Sequence, residues 1–288
     1  MPIIVGSPRS GTTLLRLMLD AHPQLAIPPE TGFIAALARL RGNEDQVRAA
    51  FIAAVVREHG FGGNWPDFHL DAGHFVDQLA AIRPFDVGLG LRLFYRLYAE
   101  RFGKPRWGDK TPLYCRQLDV VHRLLPEAHF IHLIRDGRDA ALSLRRQWFS
   151  PGPLIEHQAW HWRRNIEAAR RLSTRVPHYL ELRYEALLTE PEASLRRLCA
   201  YLALDFDAAM LRHWERAPAR IAEHAPRRAA DGRVLLDTGQ RHAQQWQSTQ
   251  APDPSRIGAW RQALRRDEQL RFRLVARSLL DELGYPRR

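Results

Sequence analysis

The sequence predicts an α/β protein in three layers, a central parallel β-sheet with helices on both faces. Three observations carry that reading. The apolar run Ile3-Ile4-Val5 meets Gly6, and five residues later Gly11-Thr12-Thr13 opens an apolar segment of helical period. A second apolar strand, Phe130 to Ile134, ends at the charged turn Arg135-Asp136-Gly137 and passes into a helix from about Arg138. A third strand, 178–183, lies between helical stretches. Strands that alternate with helices pair in parallel, and such sheets bind ligands at the carboxyl ends of their strands. The first strand, loop and helix nearly match G-x-x-x-x-G-K-[ST], so the fold is P-loop-like.

The elements follow in order. A helix is expected from about Gly11 to Ala21, then a loop through "HPQLAIPPE", with helix resuming at Gly32. Residues 44–103 alternate helical patterns with Gly/Pro/Trp-rich breaks such as "GFGGNWPDF", which reads as a helical insertion suited to acceptor specificity. "PRWGDKTP" (105–112) is a short extended segment closed by a turn, followed by a helix around 113–125. A long amphipathic helix spans about 154–175, and the stretch after Arg183 is helical with an interruption at Pro191. Residues 218–254, polar and rich in Pro, Gly and Gln, read as loop. "RIGAW" precedes a terminal helix to about Leu283, capped by Gly284.

With 288 residues, 45% hydrophobic and 26% charged, the chain suffices for one large α/β domain over 1–288. No apolar run reaches the roughly 18 residues of a membrane span. The N-terminus enters a strand at once, leaving no room for a signal peptide. Two cysteines, Cys115 and Cys199, without metal or redox spacing suit a reducing cytoplasm. The net charge of +11 is nearly all arginine, since Lys104 and Lys110 are the only lysines. That excess either decorates solvated helix faces or serves a polyanionic partner, nucleic acid or a multiply charged small ligand.

In "GSPRSGTT", Gly6 and Gly11 allow a tight backbone, and the amides from Arg9 to Thr13 can point inward at a helix N-terminus. Such a nest holds a tetrahedral oxyanion, with Thr12 and Thr13 adding hydroxyls. A nucleoside triphosphatase needs a lysine after Gly11 and an acidic strand end for Mg²⁺. Here Thr12 follows Gly11, the second strand ends in Arg135, and the positive charge has moved upstream to Arg9. The pattern suits a ligand neutralised by arginine without metal.

At these residues the chain resembles a family. "GSPRSGTTLLRLMLD" is similar to the 5′-phosphosulfate loop of sulfotransferases that use 3′-phosphoadenosine 5′-phosphosulfate (PAPS), in the Golgi-type and bacterial variant with arginine in place of lysine. "LIRDGRDAALS" resembles the family's 3′-phosphate motif, "LRYEALLTEPEASLRRLCAYLAL" its following strand and helix, and "SRIGAWRQAL" a weaker form of its G-x-W cofactor loop. The resemblance implies that Arg9, Ser10, Gly11, Thr12 and Thr13 hold the phosphosulfate, that Arg135 and Ser143 hold the 3′-phosphate, and that Tyr184 lies near the nucleotide. Arg256, Gly258 and Trp260 would close over the adenosine. The residues themselves leave Tyr184 open as a core side chain. Independently of any family, two strand-end anion sites fit a ligand charged at two separated places, and Arg135 and Ser143, eight apart, can converge on one phosphate.

Sulfuryl transfer, like phosphoryl transfer, is an in-line displacement needing positive charge on the transferring and leaving oxygens, a base and alignment. Arg9 and Lys110 are the expected cations, Lys110 matching a lysine that the family places near the sulfonate. Glu30 is the expected base, by resemblance to the tyrosylprotein branch, where a glutamate follows the D-A-H-P segment. Its pKa would have to rise through partial burial, or it must act as a weak base on an already polarised hydroxyl. His22 and Asp109 are the rival bases, and a helix-start glutamate favoured by the macrodipole is the bland account of Glu30. Tyrosylprotein enzymes carry arginine after the E-T pair, where this chain has Gly32. The acceptor therefore stays open among an alcohol, a carbohydrate, a phenol and a tyrosyl peptide.

His157 and His161 have i, i+4 spacing but no companion ligand, so zinc is not expected. "GLGL" (88–91) lacks the preceding strand of a dinucleotide loop, and Trp160 and Trp162 read as core and interface. The competing functions are a P-loop nucleotide kinase or nucleoside triphosphatase and, on charge alone, a nucleic-acid-binding protein. The expectation is a PAPS sulfotransferase releasing 3′,5′-adenosine bisphosphate, with no metal, nucleic acid or membrane span.

Overall fold

The computed structural model describes residues 1–57 and 63–286. Part of the "GFGGNWPDF" break lies outside the described residues. In chain order the elements are β1 (Pro2–Gly6), α1 (Thr12–Asp20), β2 (Leu25–Ala26), α2 (Ile34–Leu37), α3 (Glu44–Val55), α4 (Ala72–Ala80), α5 (Val87–Glu100), β3 (Arg106–Trp107), β4 (Asp109–Lys110) and α6 (Leu118–Leu124). They continue as β5 (His129–Ile134), α7 (Gly137–Leu144), α8 (Ile155–Ser173), β6 (Tyr179–Arg183), α9 (Tyr184–Thr189), α10 (Pro191–Leu202), α11 (Ala217–Ile221), β7 (Arg227–Arg228), β8 (Val234–Leu236), α12 (Thr238–Gln245), α13 (Trp260–Ala263) and α14 (Arg266–Glu282).

The central sheet has the order β4-β1-β5-β6, every pair parallel. β1 lies inside the sheet with both faces covered, which is why all five of its residues are buried and its sequence is an unbroken apolar run. Successive side chains point to opposite faces. Ile3 and Val5 join Phe33, Phe51, Phe68, Phe75 and Phe94 in one core, while Ile4, Ile131 and Leu133 pack with Leu15, Met18 and Leu19 of α1 and Leu195 and Leu198 of α10 in another. A third core beneath α7 joins Ile134, Trp162, Trp260 and Phe272.

Because the strands are parallel, their carboxyl ends share one edge. Gly6 pairs with Leu133, Ile134 with Arg183 and Ile4 with Lys110. The loop after β1, Lys110, Arg135 and Tyr184 are thereby delivered to the same side of the sheet. Among the described residues no helix is long and apolar enough to cross a membrane.

Three expectations need correction. The resumption of helix at Gly32 is confined to α2, because Gly32 adopts φ +63 and starts a turn rather than a helix. The 3₁₀ turn Pro112–Arg116 precedes α6 where a continuous helix was expected. Residues 218–254 are not loop: they hold the end of α11, the β7–β8 hairpin and α12. α12 is a helix without an apolar stripe, stabilised at its start by a capping box in which Asp237 and Gln240 bond each other's backbone. Its polar composition hid it from periodicity.

Candidate active site

The loop between β1 and α1 is built by two left-handed residues, Arg9 at φ +68 and Gly11 at φ +92. α1 starts without a capping side chain and without an acidic residue in its first turn. Gly11, Thr12, Thr13 and Leu14 at that start line a cleft of about 480 Å³. A Cβ on Gly11 would lie 2.3 Å from the Tyr184 ring, so only glycine lets the ring close against the loop. The ring in turn carries the Arg135 guanidinium 4.5 Å from its centroid.

Arg9 and Arg135 meet at this loop. Arg135 Nη1 donates to the Arg9 carbonyl at 3.3 Å, and Arg9 Nε donates to Ser143 Oγ at 2.9 Å. Arg9, Arg135, Ser143, Tyr184 and Arg256 all line the same cleft. Burial lowers the Arg9 pKa from its ordinary value, and the Arg135 charge lowers it further. Among the described residues, Arg135 Nε is buried on the cleft with no partner, a donor suited to an anion's oxygen, whereas Ser10, whose Oγ is also unpartnered, is 0% exposed and is not among the residues lining the cleft.

Glu30 and Lys110 form the second half of the site. Lys110 is 3% exposed, and its Nζ donates to Glu30 Oε1 at 2.6 Å. Burial lowers the Lys110 pKa and outweighs the opposing pull of Glu30. The Glu30 pKa is also lowered: its enclosure in the cleft pushes it up, though 46% of the side chain stays open, and Lys110, assisted by Arg227 and Arg241, pulls it down further. Of the two expected routes to a base, the raised pKa is the one this geometry disfavours, because of the neighbouring lysine, and the weak base acting on an already polarised hydroxyl is the one left.

The residues next to this pair clamp it. Thr31 Oγ1 donates to Asp109 Oδ2 at 2.6 Å, and Tyr95 OH donates to the same oxygen at 2.8 Å. The Thr31 proton is thus committed, so the Tyr114 hydroxyl, 3.0 Å away, donates to Thr31. Asp109 is 0% exposed, which removes it as a rival base. His22 is removed too: Nε2 donates to the Asp205 carbonyl at 2.8 Å while Nδ1 accepts from Gln24 N–H at 3.1 Å.

Other residues of the site were not singled out by sequence reasoning. Arg16, one turn after Thr12, lines the cleft and donates from Nε to the Ile27 carbonyl at 2.8 Å. Arg241 on α12 pairs with Asp67 through two bonds of 2.6 and 2.7 Å, and both line the cleft together with Arg227. Among the described residues of 44–103, Asp67 alone lines the cleft, whereas 224–256 contributes a whole wall. Trp260 does not close over a ligand. It is 1% exposed in the third core, with the Arg138 guanidinium 3.6 Å from its ring centroid. Trp162 is likewise core, and Trp160 is 41% exposed.

The family model for the sulfotransferase family matches residues 3–208, which include the loop, Glu30, Lys110, Arg135 and Tyr184. The chain belongs to the sulfotransferase family. Its curated relatives include the nodulation protein NoeE of Sinorhizobium fredii (strain NBRC 101917 / NGR234), 32% identical over 51% of this chain and 32% of that protein. They also include protein-tyrosine sulfotransferase A of Caenorhabditis elegans, 27% identical over 73% of this chain and 51% of that one. The chain thus spans about a third to a half of the length of these two relatives. Among solved structures, the sulfotransferase domain of the Synechococcus PCC 7002 olefin synthase shares its fold with a TM-score of 0.62, 24% identity and coverage of 99% and 94% of the two chains. Mouse sulfotransferase SULT7A1, solved in complex with PAP, shares the fold with a TM-score of 0.52 and 13% identity over 98% and 88% of the chains.

Proposed function

We propose that this sulfotransferase moves a sulfuryl group from PAPS to an acceptor hydroxyl. The observation that carries the reading is the meeting of Arg9 and Arg135, 126 positions apart, on one cleft, the Arg135 guanidinium 3.3 Å from the Arg9 carbonyl. The cleft volume falls within the usual range for small-ligand sites, roughly 300–1,000 Å³. Among the described residues, seven Arg or Lys side chains line it against two carboxylates, Glu30 and Asp67. Positive charge in excess, spread over two strand ends, fits a nucleotide that is anionic at both its 5′ and 3′ positions.

Bound PAPS supplies the sulfuryl group and a phosphate leaving group. Arg9 and the amides at the α1 N-terminus would neutralise the leaving phosphate, while Arg135 and Ser143 hold the 3′-phosphate. Tyr184 and Arg256 line the nucleotide's side of the cleft. Lys110 would attend the transferring sulfonate oxygens. Glu30, kept as a carboxylate by Lys110, is ready to accept the acceptor's proton. As Lys110's charge is drawn toward the sulfonate, Glu30 loses its partner and its basicity rises when the proton must move.

For the acceptor, the protein-tyrosine sulfotransferases among the relatives support a peptide tyrosine, whereas Gly32 departs from that branch; an alcohol, a carbohydrate and a phenol remain in the panel. The reading is tested by labelled-sulfate transfer from PAPS to a panel of glycans, phenols and tyrosyl peptides. Thermal stabilisation by 3′,5′-adenosine bisphosphate and not by ATP with Mg²⁺ is expected. The reverse pattern would replace the proposal with a phosphotransferase.

A further inference from the structure

We propose that Asp139 is the positioning residue that holds Arg256 over the nucleotide. This rests on the nucleotide reading of the cleft. Arg135, Asp139 and Ser143 are spaced at i, i+4 and i+8, one stripe running along α7 from its approach to its last turn. The outer two line the cleft. The middle one is 2% exposed, because the chain around Gly258 lies across it.

Both carboxylate oxygens of Asp139 are used. Oδ2 accepts the Gly258 N–H at 2.8 Å and Oδ1 accepts the Trp260 N–H at 2.9 Å. The two donors are 119 and 121 positions away in sequence, so the bonds tie two distant segments together. A buried carboxylate is costly unless it is fully hydrogen-bonded, and here the partners are backbone groups of a single loop. The far end of that loop is pinned separately, by Trp260 in the apolar core beneath α7. Gly258 stands at φ +77, which lets the chain turn over the carboxylate.

Two residues before Gly258, Arg256 lines the cleft and acts electrostatically on both Arg9 and Tyr184. Its own side-chain partners are Gln247, which also lines the cleft, and, at 3.8 Å, Asp253. Asp139 touches no part of the cleft itself. Its effect on a bound anion passes through the backbone into Arg256, so helix and loop present Arg135, Ser143 and Arg256 as one unit.

The test is calorimetric binding of 3′,5′-adenosine bisphosphate to the full chain and to Asp139→Ala, Asp139→Asn, Arg256→Ala and the double variant Asp139→Ala/Arg256→Ala, with melting temperatures for each. Asp139→Ala should weaken binding at least about ten-fold, equivalent to about 1.4 kcal/mol. Asp139→Asn, which keeps one acceptor oxygen, should fall between it and the parent. The double variant should bind no more weakly than Arg256→Ala alone, since the two act through one contact. Parent-like affinity in the Asp139 variants, or losses that multiply in the double variant, would overturn the assignment. If Asp139→Ala does not fold, the Asn variant decides by the same criteria. Absence of binding by the parent chain would overturn the nucleotide reading and this inference with it.

Discussion

Lys110 Nζ lies 2.6 Å from Glu30 Oε1, and the ammonium holds the carboxyl in its ionised form. The Glu30 carboxyl is held below its ordinary 4.5 and the Lys110 ammonium below its ordinary 10.5. A carboxyl of depressed pKa adds stability above its unfolded value and loses that contribution as pH falls through the folded one. The Glu30 contribution is therefore complete at neutral pH and is lost only below pH 4.5, whereas the depressed Lys110 pKa works the other way and costs stability wherever the ammonium is charged, a cost relieved as pH rises toward 10.5.

The same shifts predict a pH profile. If Glu30 is the base and Lys110 the cation, kcat/KM should fall on the acid side only below pH 4.5 and on the alkaline side before pH 10.5. Glu30→Gln should remove the acid limb and lower kcat by about 10²- to 10⁴-fold. An acid limb above pH 4.5 that survives the substitution would assign the base elsewhere.

Two of the cleft's arginines, Arg9 and Arg135, should separate kinetically. On the proposed mechanism, Arg9→Ala and Lys110→Ala remove charge where it develops during transfer and should each lower kcat by about 10²- to 10³-fold. Arg135→Ala should chiefly raise the KM for PAPS, because a group that binds ground and transition states equally affects binding alone. Full turnover by either of the first two variants would contradict their placement at the transferring group.

Gly11→Ala confronts two obstacles at once, the left-handed φ of +92 and the Tyr184 ring 2.3 Å from the new methyl. The strained backbone alone costs about 1–3 kcal/mol. Urea unfolding should show a loss of that size, and nucleotide binding should vanish as the loop shifts. Adding Tyr184→Ala should restore part of the stability, since it removes the overlap and leaves the strain. Unchanged binding by Gly11→Ala would remove the loop from the site.

Asp20 should be among the most sensitive positions away from the cleft. It is buried, accepts two bonds from Arg220 at 2.7 and 2.9 Å, and accepts the Ile27 N–H at 2.7 Å. Asp20→Ala leaves a buried guanidinium short of its partner and should cost about 3–5 kcal/mol by denaturant unfolding. It also releases the turn that leads to Glu30, so transfer should decline along with stability. A stable, fully active variant would show that Glu30 is positioned by other contacts.

Much of this was legible in the sequence because it is local. Ile3-Ile4-Val5 before a Gly-rich turn specifies a buried strand and an anion-binding loop within a dozen residues, and "HFIHLIRDGRD" repeats the plan. Glu30 and Lys110 could be picked out as residues, but not as partners, since 80 positions separate them. α12 was illegible for a different reason. A polar helix held by its cap and by an Arg241–Asp67 ion pair carries no periodic apolar signal. Trp260 was misplaced because an aromatic beside a glycine reads alike as a ligand platform and as an anchor.

The sequence by itself determined the strand-end loops, their glycines and the positive character of the ligand site, because each depends on backbone conformation and charge within a short segment. Tertiary structure alone decided which charges meet. The parallel sheet aligned the carboxyl ends of four strands, set Lys110 against Glu30 so that the carboxyl's pKa moves down instead of up, and turned Trp260 into the core. Protonation and burial depend on neighbours brought together by packing, and packing joins residues that the chain keeps far apart.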